Sequence, residues 1–223
     1  MCLILLGWKI QADLPLIVAA NRDEFHARAT APAGFWKDHP EILAGRDLEA
    51  MGTWMGVARN GRFAAVTNYR GATEPKAAES RGALVTRFLI NSFSPEKYMK
   101  ETTTNSYSGF NLLACDGKEL WWMSNRDGTP RRLEPGLYGL GNLLLDSPDV
   151  EDHKARFREA IAPAPSVEPL FEVLARAQIV NPRYGTRSST VVLQGKDGRT
   201  QFAERPYDPE GVGGETLRYE WQS

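Results

Sequence analysis

Residues 53–69 run Thr53-Trp54-Met55-Gly56-Val57-Ala58-Arg59-Asn60-Gly61-Arg62-Phe63-Ala64-Ala65-Val66-Thr67-Asn68-Tyr69. Two apolar runs, Thr53–Arg59 and Arg62–Tyr69, flank Asn60-Gly61, whose residues tolerate the positive φ angles of a tight hairpin turn. The same pattern returns twice further along. Asn111–Cys115 and Glu119–Ser124 flank Asp116-Gly117, and Ser189–Gln194 and Arg199–Glu204 flank Asp197-Gly198. Three turns of one chemistry predict antiparallel sheet. Toward the chain start, Cys2–Ile10 and Leu14–Ala20 read as two further buried strands with Gln11-Ala12-Asp13 turning between them.

Helical spacing interrupts the strands in two places. After Ser80, read as an N-cap, Leu84, Val85, Phe88 and Leu89 recur at helical spacing, and Pro95 opens a second helix. Later, Phe157 and Ile161 mark one helix and Pro169 opens another, with Leu170, Val173, Leu174 and Ala177 on one face. The expected order is four strands, a helix pair, three strands, a second helix pair, then two or three strands. Strands apolar on both faces need cover on both sides. An α+β fold follows: an αββα four-layer sandwich, two antiparallel sheets between helix pairs, as a single domain over residues 1–223. No internal repeat or interdomain linker breaks it.

Composition narrows the function classes. The 27 basic and 28 acidic residues nearly cancel, and no Lys/Arg-rich block occurs, so the electrostatic footprint of a nucleic-acid binder is missing. No apolar run reaches the length of a membrane span. The apolar start Met1–Trp8 has no basic region before it and ends too soon for a secretory signal. Cys2 and Cys115 do not make a disulfide framework, which favours a reduced, cytoplasmic compartment. His26, His39 and His153 are scattered, so neither a metal site nor a cofactor is expected.

Cys2 is the first candidate for chemistry. Met1 is expected to be removed where the second residue is small, which would leave a thiol and a free α-amine on one residue. That amine titrates near ~8 and can act as base beside its own thiol. Position alone also suits a small apolar residue opening a buried strand. Asn21-Arg22-Asp23-Glu24 follows the apolar run Leu16–Ala20 directly. If the first two strands form a hairpin, this tetrad returns near the chain start. Asp23 could then hold the α-ammonium and Arg22 could favour the thiolate, or the tetrad is a solvated strand end. Asn21 and Arg22 are the candidates for substrate contact. Asn68, Asn142 and Arg187 lie at or just after strand ends; an asparagine amide there suits either a turn or a developing oxyanion, and Arg187 suits a surface ion pair equally well.

Taken together, Met1-Cys2-Leu3-Ile4, Asn21-Arg22-Asp23-Glu24, Gly52-Thr53-Trp54-Met55-Gly56, Thr67-Asn68-Tyr69-Arg70, Gly109-Phe110-Asn111-Leu112 and Gly185-Thr186-Arg187-Ser188-Ser189-Thr190 resemble the NRDE family, the Transport and Golgi organisation protein 2-like proteins. That family is in turn similar to the cysteine N-terminal-nucleophile (Ntn) amidases, such as penicillin V acylase and the bile-salt hydrolases. The resemblance implies an αββα Ntn-hydrolase fold with Cys2 as nucleophile and Asp23 as the carboxylate contacting its amine. It implies Asn68 as the oxyanion asparagine, Asn142 as the second active-site asparagine and Arg187 as the late arginine near the thiol. Ala20 stands where the amidases carry an early arginine. Two functions are then open. One is hydrolysis of a linear amide (C–N) bond through Cys2, with a small-molecule amide as substrate. The other is a non-catalytic protein that handles haem, lipid or acyl-coenzyme A.

Overall fold

The computed structural model describes residues 2–71, 77–162 and 164–222. The chain opens with the expected hairpin. Strand β1 (Leu3–Trp8) pairs antiparallel with β2 (Leu16–Phe25), in a register that runs from Leu3 opposite Asn21 to Trp8 opposite Leu16. There follow β3 (Thr30–Phe35), β4 (Ile42–Asp47), β5 (Met55–Ala58) and β6 (Phe63–Asn68), then helices α1 (Gly82–Ile90) and α2 (Pro95–Glu101). Next come β7 (Phe110–Cys115), β8 (Leu120–Ser124), β9 (Arg131–Leu133) and β10 (Gly136–Leu140), then helices α3 (Glu151–Ile161) and α4 (Val167–Ala175). The chain ends on β11 (Tyr184–Gln194), β12 (Arg199–Pro206) and β13 (Leu217–Gln222).

These strands form two antiparallel sheets. One has the order β3-β4-β5-β6-β7-β8-β9, and the other β10-β1-β2-β11-β12-β13. Each belongs to its own compact unit. The six-stranded sheet, with α3 and α4, takes the chain through Arg28, Pro135–Gly141 and everything from Leu145 on. The seven-stranded sheet, with α1 and α2, takes Ala29–Glu134 and Asn142–Leu144. The three anticipated hairpins form, with Gly61, Gly117 and Gly198 at φ of 82°, 84° and 88°, where a side chain would be strained.

Each helix pair covers one face of its own sheet. Leu84, Val85, Phe88 and Leu89 of α1 pack with Val66, Leu112 and Met123. On the six-stranded sheet, Phe157 and Ile161 of α3 and Leu170, Phe171 and Leu174 of α4 pack with Leu3, Leu5, Ile17, Ala19, Val191 and Leu193. The alternate residues Ile4, Leu6, Val18 and Val192 are buried as well, which is why these strands read as continuous apolar runs. The fold class is the expected α+β one, two antiparallel sheets each backed by helices.

Local details depart from expectation for identifiable reasons. Six strands, not four, precede α1. Pro32 and a register shift between Ala31 and Gly34 break the period of β3, and β3 is mostly half-exposed, so neither it nor β4 announces itself. Between the helix pairs there are four strands, not three, because β9 is three residues long with two exposed arginines. Ser80 sits just upstream of α1; its Oγ accepts from the Gly82 N–H at 3.4 Å, while the N-cap itself is Arg81. Helix α4 begins two residues before Pro169, which a first turn tolerates because its N–H has no helical partner there.

Candidate functional site

The pairing of β1 with β2 decides where Cys2 lies. Leu3 is opposite Asn21, so the residue before it falls beside Arg22 and Asp23. The Cys2 thiol accepts a hydrogen bond from the Asp23 backbone N–H at 3.4 Å and lies 3.5 Å from the Asp23 carbonyl oxygen, to which it can donate. Met1, whose removal an N-terminal nucleophile requires, lies outside the described residues. The other side of β2 pairs with β11, which places Thr186 directly opposite Asp23. Asp23 is 5% exposed, and the Thr186 hydroxyl donates to its Oδ1 at 2.7 Å. The Tyr184 hydroxyl donates to the Asp23 carbonyl at 3.4 Å. Neither threonine nor tyrosine was singled out from sequence. Thr186 lies inside the Gly185–Thr190 motif and Tyr184 directly before it, but the strand they face could not be known before the strands were paired.

Arg187 occupies a β-bulge. The β2–β11 register shifts between Thr186, opposite Asp23, and Ser188, opposite Arg22, so Arg187 is the extra residue that a bulge re-aims. Its guanidinium Nη1 donates to the carbonyls of Phe25 (3.0 Å), Arg28 (3.2 Å) and His26 (3.3 Å), clasping the turn that follows β2. Burial lowers the Arg187 pKa and the neighbouring Arg22 lowers it further. Asn21 is fully buried. Its Nδ2 donates to the Leu174 carbonyl at the end of α4 (2.9 Å), and its Oδ1 accepts from the Ser189 hydroxyl (2.6 Å). The amide so engaged ties β2 to α4 and β11.

Electrostatics around the thiol favour its neutral form. Burial, and then the negative charge of Asp23, push the Cys2 thiol up to about 11. The Asp23 N–H and the charge of Arg22 act in the opposite direction and are outweighed. Arg22 therefore supplies the cation expected to favour the thiolate, from a side chain 13% exposed with Glu24 3.9 Å away. Burial also raises the Asp23 carboxyl, against the stabilising hydrogen bond from Thr186. Cys115 ends β7 with no exposure, and neither cysteine is in a disulfide.

The two asparagines form a separate arrangement in the seven-stranded unit. Asn68 closes β6 opposite Phe110, with its side chain exposed. The buried Asn142 brackets the turn beyond it: its Nδ2 donates to the Asn68 carbonyl (2.8 Å) and its backbone oxygen accepts from the Arg70 N–H (2.6 Å). The structure thus brings Cys2, Arg22 and Asp23 together in one unit, with Arg187 on the adjoining bulge, and Asn68 with Asn142 in the other. Among the described residues no group of three or more His, Cys, Asp or Glu side chains is placed to hold a metal ion. No described helix is long and apolar enough to cross a membrane.

Residues 1–183 match the family model described as Transport and Golgi organisation 2. The chain belongs to that family. The human Transport and Golgi organization protein 2 homolog is 34% identical, over 92% of both chains. The Drosophila melanogaster Transport and Golgi organization protein 2 is 30% identical, over 88% of both. Among solved structures, the chain is similar to a Caenorhabditis elegans ortholog of N-acylethanolamine-hydrolyzing acid amidase (TM-score 0.54, 9% identity, 86% of this chain and 92% of that one). It is also similar to a mutant conjugated bile acid hydrolase from Clostridium perfringens (TM-score 0.56, 9% identity, 100% of this chain and 97% of that one). At such identities the likeness is one of fold. The Transport and Golgi organisation 2 family member described here therefore shares the fold of those two structures, with its Cys2 thiol held on the backbone of Asp23.

Proposed function

We propose that the chain is an Ntn-type cysteine hydrolase of a linear amide (C–N) bond, working through Cys2 once Met1 is removed. The carrying observation is the seat of the thiol, at the start of the chain against Asp23, whose buried carboxyl is held by Thr186. In the proposed reaction Sγ attacks the amide carbonyl and the Cys2 α-amine takes the thiol proton, with Asp23 accepting a hydrogen bond from the resulting ammonium. The C–N bond breaks as that proton passes to the departing amine, leaving a thioester. Water then adds to the thioester, its proton returning by way of the α-amine to the thiol as the carboxylic acid leaves. With Met1 in place, burial and Asp23 hold the thiol protonated, so attack calls for a base within reach of Sγ, which the freed α-amine would supply. The resemblance assigns the oxyanion to Asn68, Asn142 as the second active-site asparagine and Arg187 as the arginine near the thiol; Arg22, beside Asp23, adds a second positive charge. Asn21, with both ends of its amide engaged, is assigned to holding β2 rather than to substrate.

Incubating Met1-free protein with a panel of fatty-acyl p-nitroanilides tests this by intact mass and by release of nitroaniline. An acyl adduct on Cys2 is expected, with Cys2→Ala folded and inactive; no adduct across the panel and no release sinks the proposal. Asn68→Ala is expected to cost about 10²–10³ in turnover, the usual worth of one oxyanion donor.

A second reading, a ligand-handling protein without turnover, is supported by the family match, whose relatives are named for transport and Golgi organisation rather than for hydrolysis. Haem, lipid or acyl-coenzyme A binding that survives Cys2→Ala, in a chain that forms no acyl-enzyme, would mark it. The cytoplasm is the proposed location on either reading.

A further inference from the structure

Strand β7 reads Phe-Asn-Leu-Leu-Ala-Cys, and its second residue, Asn111, is polar and fully buried, opposite Thr67 on β6 and Ser124 on β8. One Nδ2 hydrogen is directed to the Thr67 hydroxyl (3.2 Å) and the other to the Leu143 carbonyl (2.9 Å). Thr67 directly precedes Asn68, and Leu143 directly follows Asn142. The amide therefore ties together the two backbone arms that carry the Asn68–Asn142 bracket. Its Oδ1 is buried with no hydrogen-bond partner among the described residues. A buried acceptor left unpaired weakens a fold; leucine, as at the two positions that follow, would remove that orphan but leave the Leu143 carbonyl and the Thr67 hydroxyl without this donor. Asparagine at this site thus leaves one buried acceptor unpaired while its two donors fix the geometry of both arms.

We infer that Asn111 is a positioning residue: it sets the placement of Asn142 relative to Asn68, and through them the donor arrangement that the amide-hydrolase proposal assigns to this pair. The inference rests on that proposal for its functional meaning and on the hydrogen bonds above for its geometry. It names a residue that acts only through its neighbours and touches no reacting atom.

The test is Asn111→Leu in the Met1-free chain, followed by side-chain amide hydrogen exchange at Asn142, assigned by difference against Asn142→Ala. The variant is expected to melt within about 4 °C of wild type. The Asn142 side-chain amide is expected to exchange about tenfold faster or more. Acyl loading of Cys2 from the p-nitroanilide panel should fall as far as it does in Asn142→Ala. A folded leucine variant whose Asn142 amide exchanges at the wild-type rate overturns the inference. Should that variant not fold, Thr67→Val decides in its place, because it deletes one of the two acceptors while keeping the side-chain shape. There, two- to five-fold faster exchange at Asn142 is the expected result, and an unchanged rate overturns it. If the wild-type chain forms no acyl-enzyme, the hydrolase proposal falls, while the exchange measurement still decides what Asn111 does.

Discussion

The two sheets are assembled by opposite strategies. Every neighbour pair in the seven-stranded sheet is consecutive in the chain, β3 through β9, with α1 and α2 inserted between β6 and β7. The six-stranded sheet is gathered from three distant pieces: the hairpin β1–β2, the lone strand β10, and β11–β13. Local pairing is cheap in chain entropy, whereas long-range pairing closes large loops before contacts reward it. The seat of Cys2 is built in the sheet with the costlier pairing. Bringing Asp23 opposite Thr186, 163 residues later, requires β2 to meet β11. A meander lays strands down in order; a site that combines the chain start with a late strand cannot be made that way.

The largest expected effect contrasts the two thiols, one in each unit. With Met1 in place, a Cys2 thiol near 11 has about 10⁻⁴ of its population as thiolate at pH 7. Its carbamidomethylation rate should climb roughly tenfold per pH unit up to pH 10. Cys115, without exposure, should label only on unfolding. A Cys2 rate that levels off below pH 9, or a Cys115 that labels first, breaks the contrast.

Next in size, Phe88→Ala under the meander and Phe157→Ala under the gathered sheet should each cost about 3–5 kcal/mol. They should differ kinetically. If the local sheet forms first, the loss at Phe88 appears as slower folding and the loss at Phe157 as faster unfolding, read from a chevron plot. The reverse assignment would place the nucleus in the six-stranded sheet.

A smaller effect separates function from stability at Asp23. Its carboxyl is raised in the folded chain, so between its ordinary value of 3.8 and the raised one the folded state holds more protons than the unfolded state. Stability therefore falls as pH climbs through that window and stays lower above it. Asp23→Asn should melt higher than wild type at pH 7 and lose the advantage below the carboxylate range. Equal melting at both pH values would mean that the carboxylate is fully compensated where it sits. Smallest of all, Gly61→Ala, at φ 82° in a meander hairpin, should cost about 1 kcal/mol by calorimetry.

Much of this architecture is legible along the chain. Asn60-Gly61, Asp116-Gly117 and Asp197-Gly198 announce their hairpins because turn chemistry is a property of neighbouring residues, and the apolar faces of α1 and α4 follow from spacing alone. Strand β3 is hidden, since Pro32 and a bulge erase its alternation. At the site, the motif Asn21-Arg22-Asp23-Glu24 draws attention to Asp23 and Arg22, but not to the division of labour within it. Asn21 spends its amide on Leu174 and Ser189, while Arg22 lies close enough to the thiol for its positive charge to act on it.

The sequence by itself determined the α+β class, the hairpins, the helix faces and the family, because each is carried by local chemistry or by motifs in a set order. Tertiary structure alone decided which residues meet. The bulge that turns Arg187 onto the carbonyls of Phe25, His26 and Arg28 depends on the β2–β11 register. The hydroxyl of Thr186 on Asp23 depends on the same pairing, and the clasp of Asn111 on Thr67 and Leu143 depends on β6 meeting β7. So does the state of the thiol. From sequence the cations near Cys2 pointed to a thiolate, but desolvation and the adjacent Asp23 carboxyl outweigh them, because the balance of charge and burial is set by distances that residue order does not contain.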